Sequence, residues 1–325
     1  MTKVKLDDKF IINKLKKIDK MLEIMEKKSN KIVRTVSSAK LVQPKFIKNK
    51  KIKLDKFYTN PNIVDICINS VTKLYKWNSF DFVVEPSAGC GNFLIKIPNV
   101  DKIGLDILPD HPDVVQGDFL KYHPPSKARN ILSIGNPPFG RVSSMAVKFF
   151  NHSAIWSNVI AFIIPKTFRK TSIHNKLNLY FHLVFDENIP NKPCSFTPKM
   201  GVKCCFQIWE RRKIARKIIS LPVIHPDWDF LKLGKRDAQN QPTPPKGADF
   251  AILAYGGKCG RIQLKNLETL RPKSWHWIKC NIDKKILISR FAKLNFAKTQ
   301  NTARQNSMGK AELIQLYSGY RSSIE

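Results

Sequence analysis

From about residue 55 onward, short apolar runs alternate with stretches in which apolar residues recur every three or four positions. Ile63, Val64, Ile66, Cys67, Val71 and Leu74 fall on one helical face, with Thr59 or Asn60 placed to cap it and Pro61 in its first turn. Apolar runs at 80–84, 102–105, 131–134, 158–164, 180–185 and 203–210 read as strands, and 143–155 reads as a helix. A further strand end is expected at Gly117, which brings the count to seven. This alternation predicts an α/β fold built on a Rossmann-like parallel sheet.

The two flanks read differently. In residues 1–50, Phe10, Ile11, Leu15, Ile18, Leu22 and Met25 recur at helical spacing among lysines, predicting one amphipathic helix that ends near Ser29-Asn30 and runs into a basic extended arm. Beyond residue 213, Pro222, Pro226, Pro242, Pro244 and Pro245 interrupt the pattern. Residues 250–255 and 261–264 predict a hairpin about Gly256-Gly257, and 310–317 predicts a closing helix. The expected organisation is a basic helical extension (1–50), an α/β domain (51–213) and a small C-terminal α+β or β domain (214–325). Trp228, Trp275 and Trp277 of that last part suit either base stacking or the core of a small module.

Charge changes the picture more than composition does. Lys+Arg number 57 against 25 Asp+Glu, a formal net charge of +32, which points to a polyanionic partner and first to nucleic acid. The seven cysteines form no CxxC pair and have no histidine at zinc spacing, so no metal site is expected. The chain opens on charged residues and no stretch approaches 18 uncharged apolar residues, so an intracellular, soluble protein is expected, without membrane association or secretion.

Two strand ends carry candidate chemistry. Asn136-Pro137-Pro138-Phe139 follows an apolar strand, and the paired prolines hold the Asn136 side chain and the Pro137 carbonyl in one stiff geometry. Two carbonyl acceptors so fixed suit the two hydrogens of an exocyclic amino group, and Phe139 offers a face to a planar base. The same residues would also serve as a rigid turn with Phe139 in the core. Glu85-Pro86-Ser87-Ala88-Gly89-Cys90-Gly91 lies at a strand-to-helix turn, where backbone can approach a ligand closely. Asp106, about twenty residues on, is placed to accept from ribose hydroxyls. Asp118 is placed to accept from an adenine amino group with Phe119 packed on the ring. A dinucleotide fingerprint fits poorly, because the third glycine is missing and Glu85 would repel a diphosphate. An acid there suits S-adenosyl-L-methionine, which is cationic and carries no phosphate.

Taken in order, Phe57-Tyr58-Thr59, the Glu85 to Phe93 run, Asp106, Gly117-Asp118-Phe119-Leu120 and Gly135-Asn136-Pro137-Pro138-Phe139-Gly140 resemble the motifs of S-adenosylmethionine-dependent adenine-N6 DNA methyltransferases. The order is similar to the gamma class, and the run from Gly140-Arg141 to His152 resembles enzymes of phages and large DNA viruses. The resemblance spans residues 55–212 and implies a seven-stranded methyltransferase sheet with a C-terminal target-recognition region. It implies catalytic roles for Asn136, Pro137, Pro138 and Phe139. It also implies S-adenosyl-L-methionine contacts from Phe57, Tyr58, Thr59, Glu85, Pro86, Ser87, Gly89, Gly91, Asp106, Asp118 and Phe119. Arg141, Lys166, Arg169 and Lys170 are candidate nucleic-acid contacts. RNA adenine-N6 or guanine-N2 methylation is the close alternative, methylation of a protein glutamine amide a more distant one, and a noncatalytic nucleic-acid-binding protein the alternative from another class. No general base is expected, and His152 and His182 read as structural or surface histidines.

Overall fold

The computed structural model describes residues 56–322. The helix and basic arm expected before residue 51 lie outside them. The first described strand, β1 (Tyr58–Thr59), pairs antiparallel with β8 (Phe196–Thr197). Between them run α1 (Pro61–Leu74), β2 (Phe82–Pro86), α2 (Asn92–Lys96), β3 (Lys102–Asp106), β4 (Val114–Gln116), β5 (Ile131–Gly135), α3 (Ser144–Trp156), β6 (Val159–Pro165), α4 (Thr171–His174) and β7 (Phe181–Asn188); β9 (Cys204–Arg211) follows β8.

One seven-stranded sheet takes the order β4-β3-β2-β5-β6-β9-β7. The pairs from β4 through β6 are parallel, and β9 is antiparallel to both β6 and β7. All seven residues of β6 and all five of β5 are buried, as expected of central strands covered on both faces. Val64, Cys67 and Val71 of α1 pack on one face beside Leu132, Ala161 and Ile163. Phe149 and Phe150 of α3 pack on the other beside Val84, Ile160 and Phe162. Each fully buried large side chain in these layers contributes about 1.5–3 kcal/mol. The fold is thus the Rossmann-like α/β sheet predicted above.

Asn60 precedes α1 as its cap residue, with Pro61 in the first turn, yet its side chain makes no capping bond. It donates instead to the Cys194 carbonyl and accepts from Thr197, tying α1 to the β8 segment.

The chain after residue 213 builds a second, antiparallel sheet in the order β10 (Trp228–Phe230), β13 (Trp275–Cys280), β11 (Phe250–Leu253), β12 (Ile262–Gln263). Helices α5 (Lys284–Ala292) and α6 (Lys310–Arg321) join it through Trp228, Phe250, Ile278, Leu287, Phe291, Leu313 and Tyr317. Trp277 packs with Ala251 and Trp275 in a separate cluster. The tryptophans therefore serve this α+β module's core. Its hairpin corrects the expectation of a Gly-Gly turn, because Tyr255 leaves β11 to bridge Ser307 and residues 254–261 form a longer loop. No helix among the described residues is long and apolar enough to cross a membrane, and no cluster of metal-ligating side chains occurs among them.

Candidate active site

In an open α/β sheet, ligands bind beyond the carboxyl ends of the strands where the order reverses. Here that point lies between β2 and β5, and the loops after both strands line a cavity of about 1330 Å³. Asn136, Pro137, Pro138 and Phe139 line it from the β5 loop. Ser87 and Gly89 line it from the β2 loop, with Asp106 and Asp118 beyond the ends of β3 and β4, and Phe57 and Tyr58 at β1.

The Asn136 amide is oriented by one bond, in which Nδ2 donates to the Phe57 carbonyl at 3.1 Å. Oδ1 is left as the unspent acceptor, next in sequence to the Pro137 carbonyl, and among the described residues no donor reaches either oxygen. Phe139 is half-buried and packs against both apolar clusters of the sheet while lining the cavity. The loop is anchored behind it, where the Phe139 carbonyl accepts from Met145 at 3.2 Å. Gly140 turns the chain at φ +65°, and a Cβ there would stand 2.7 Å from the Met145 side chain.

The Asp106 carboxylate is held between two backbone N–H groups, from Gly89 to Oδ2 at 2.9 Å and from Leu108 to Oδ1 at 2.8 Å. Each oxygen keeps acceptor capacity for a ligand. Gly89 sits at φ +54° against the Tyr58 ring, 2.9 Å from where a Cβ would be, so only glycine lets the loop lie this close. Lys56 pairs with Asp110 at 2.7 Å and lies 3.8 Å from Asp106, neutralising acid beside the cavity. The Tyr58 hydroxyl donates to Asp110, and burial together with that bond raises its pKa well above the ordinary phenol value. Asp118 accepts from Leu120 N–H at 3.0 Å, a local turn that fixes its carboxylate.

Other expected residues take different places. Glu85 does not line the cavity, being fully buried with Oε2 accepting from Leu94 N–H at 2.7 Å in the first turn of α2. Burial pushes its carboxyl up to about 8, against the lowering pull of the Leu94 and Phe93 N–H groups. Thr59, Pro86 and Gly91 also lie outside the lining. Phe119 lines the cavity but is nearly fully buried, its ring stacked on Phe149 at 5.0 Å. Of the basic candidates, Arg141 and Lys170 line the cavity while Lys166 and Arg169 do not. Arg169 is committed to Asp186 at 2.6 Å, and Lys170 to Glu312 at 3.0 Å. Both histidines set aside as bases are spent on backbone carbonyls, His152 on Tyr122 and His182 on Ile214.

The cavity also has a wall that motif reading missed. Lys199, Tyr255, Thr302, Ala303, Arg304, Gln305 and Ser307 line it from the β8 segment and the C-terminal module. They belong to no recognisable motif, and only the overall positive charge hinted at them.

No protein-family model matches the chain, and no curated protein sequence matches it either. The solved structures to which it is similar include a 23S rRNA methyltransferase, ErmE, at 16% identity over 51% of this chain and 72% of that one, with a TM-score of 0.38. A dimethyladenosine transferase from Plasmodium falciparum is 20% identical over 48% of this chain and 62% of that one, with a TM-score of 0.34. Magnesium protoporphyrin IX methyltransferase (ChlM) from Synechocystis PCC 6803, with bound SAM, is 13% identical over 65% of this chain and 100% of that one, with a TM-score of 0.34.

Proposed function

We propose that the chain transfers a methyl group from S-adenosyl-L-methionine to the N6 amino group of adenine in nucleic acid, with DNA as the first reading. The orientation of Asn136 carries this proposal. Its amide nitrogen is consumed by Phe57, so its carbonyl and that of Pro137 form an acceptor pair lining a cavity at the sheet's switch point. A volume of about 1330 Å³ exceeds the roughly 300–1,000 Å³ of a single small-ligand site, which suits a cofactor beside a target nucleotide.

The donors and acceptors fit that cofactor. Asp106, fixed by Gly89 and Leu108, would accept from ribose hydroxyls, and Asp118 from the adenine amino group. Ser87 and Gly89 bring backbone close to the cavity. Bound there, S-adenosyl-L-methionine supplies a methyl group activated by its sulfonium.

The protein's task is to make a poor nucleophile competent. The N6 lone pair is delocalised into the adenine ring. Acceptance of both amino hydrogens by Asn136 Oδ1 and the Pro137 carbonyl favours a pyramidal nitrogen and stabilises the positive charge that develops there. The surplus proton passes to water after transfer, so no strong base is required. Phe139, anchored in the core, offers an aromatic surface to a base extruded from a duplex or already unpaired. The region beyond residue 213 is the candidate target-recognition part.

The test is tritiated methyl transfer to unmethylated duplex DNA, single-stranded DNA and RNA, followed by separation of product nucleosides. Label in N6-methyl-2′-deoxyadenosine is expected, and label in N6-methyladenosine alone would move the substrate to RNA with the same grip. Label in a ring nitrogen or carbon position would contradict the proposal, as would no label with cofactor bound.

A further inference from the structure

We propose that residues 301–307 are the substrate-facing wall of this cavity, where Arg304 acts with Lys199 and Arg141 as a clamp on the phosphates that flank the target nucleotide. This rests on the reading above and extends it from the reacting base to the polymer that carries it.

The wall is irregular in backbone but fixed in place. Lys203 N–H donates to the Ala303 carbonyl at 2.7 Å, and Lys203 Nζ to Asn306 Oδ1 at 3.0 Å. Gly256 N–H donates to the Asn306 carbonyl at 2.9 Å, and Ser307 N–H to the Thr299 carbonyl at 3.1 Å. Thr302 and Met308 are buried on either side of it, while Arg304 and Gln305 stay exposed and line the cavity. A segment pinned in this way presents its exposed side chains in one place.

Charge pairing separates the clamp from the rest of a basic surface. Among the described residues, five cationic side chains line the cavity: Lys56, Arg141, Lys170, Lys199 and Arg304. Lys56 is neutralised by Asp110, and Lys170 by Glu312. Among the described residues, Arg141, Lys199 and Arg304 have no ion-pair partner. All three are exposed, so they stand where the cavity opens. They come from three separate segments: the loop after β5, the chain after β8, and the pinned wall. Separated cations around one opening match a ligand carrying several spaced phosphates. A free nucleoside offers none, and a neutral peptide offers nothing that needs them.

The experiment measures binding of a fluorescent 20-nucleotide DNA and its RNA counterpart to the full chain by anisotropy across a salt series. The variant Lys199→Ala/Arg304→Ala is compared with Lys73→Ala/Lys285→Ala, which removes equal charge from exposed helix positions outside the cavity. The clamp predicts that the first pair weakens binding about tenfold or more relative to the second. It also predicts a slope of log affinity against log salt about 1.5–2 units shallower, with cofactor affinity unchanged. Restoring one charge, as Lys199→Ala/Arg304→Lys, should recover about half of the lost slope. Indistinguishable losses in the two pairs would overturn the clamp, even if the wild type transfers methyl groups to adenine. A clamp-specific loss in a chain that transfers no methyl group would support the clamp and overturn the proposed reaction.

Discussion

Val142 shows how tightly the loop after β5 is drawn. It is β-branched yet held at φ 53°, ψ 37°, with its side chain 76% exposed, and Ser143 follows at φ 61°. Left-handed backbone costs a β-branched residue about 1–2 kcal/mol, and here little burial offsets it. Val142→Gly should therefore raise stability, by about 1 kcal/mol in denaturant unfolding. An unchanged or lower midpoint would show that the turn is unstrained. Glu85 makes a second prediction. Its carboxyl is raised from 4.5 to about 8 by burial, so the folded chain holds that proton more tightly than the unfolded chain. The resulting stability is complete below 4.5 and is lost as pH rises towards 8. The imidazoles of His174, His225 and His276 are shifted downward from 6.5, chiefly by desolvation, so their opposing contribution ends near that pH. Melting temperature should fall between pH 6.5 and 8, and Glu85→Gln, which keeps an acceptor for Leu94, should flatten that fall. The same slope in both proteins would refute the assignment. At this scale the placement of Asn136 and Pro137 at one strand end was legible, because adjacent prolines dictate local geometry. The inward turn of Glu85 was not, since it depends on N–H groups that point back from α2.

At the scale of elements, legibility followed burial. Strands β5, β6 and β9 are covered on both faces and read as continuous apolar runs, so their predicted positions hold to within a residue or two. Strand β13 mixes tryptophans with His276 and Lys279, and α5 is short and sets Leu287 and Phe291 among lysines, Ser289 and Arg290, so neither pattern announced itself. Helix α6 was seen but cut short, because its buried apolar positions end at Tyr317 while the helix continues to Arg321, which pairs with Asp227 at 3.1 Å. Its Leu313 is fully buried in the same cluster as Trp228 and Phe250. Leu313→Ala should cost about 2–5 kcal/mol by removing buried methyl groups and leaving a cavity. A loss under 0.5 kcal/mol would mean that the module repacks freely, which would weaken the case for a fixed wall at residues 301–307.

For the molecule as a whole, a net charge of +32 pointed to a polyanion but could not say where it is read. The fold pairs some cations, such as Arg169 with Asp186, and leaves Arg141, Lys199 and Arg304 of the proposed clamp without an ion-pair partner among the described residues. It also brings a segment near residue 304 opposite loops near residues 89 and 136, a juxtaposition that exists only once two sheets are formed. The central claim remains the grip on an amino group, and Asn136→Ala tests it most directly. Single-turnover methyl transfer to an adenine-containing oligonucleotide should be measured beside cofactor binding by calorimetry. Loss of one preorganised group at a site of developing charge predicts a rate lower by about 10²–10³-fold with cofactor affinity unchanged. Retention of most of the rate would contradict the account.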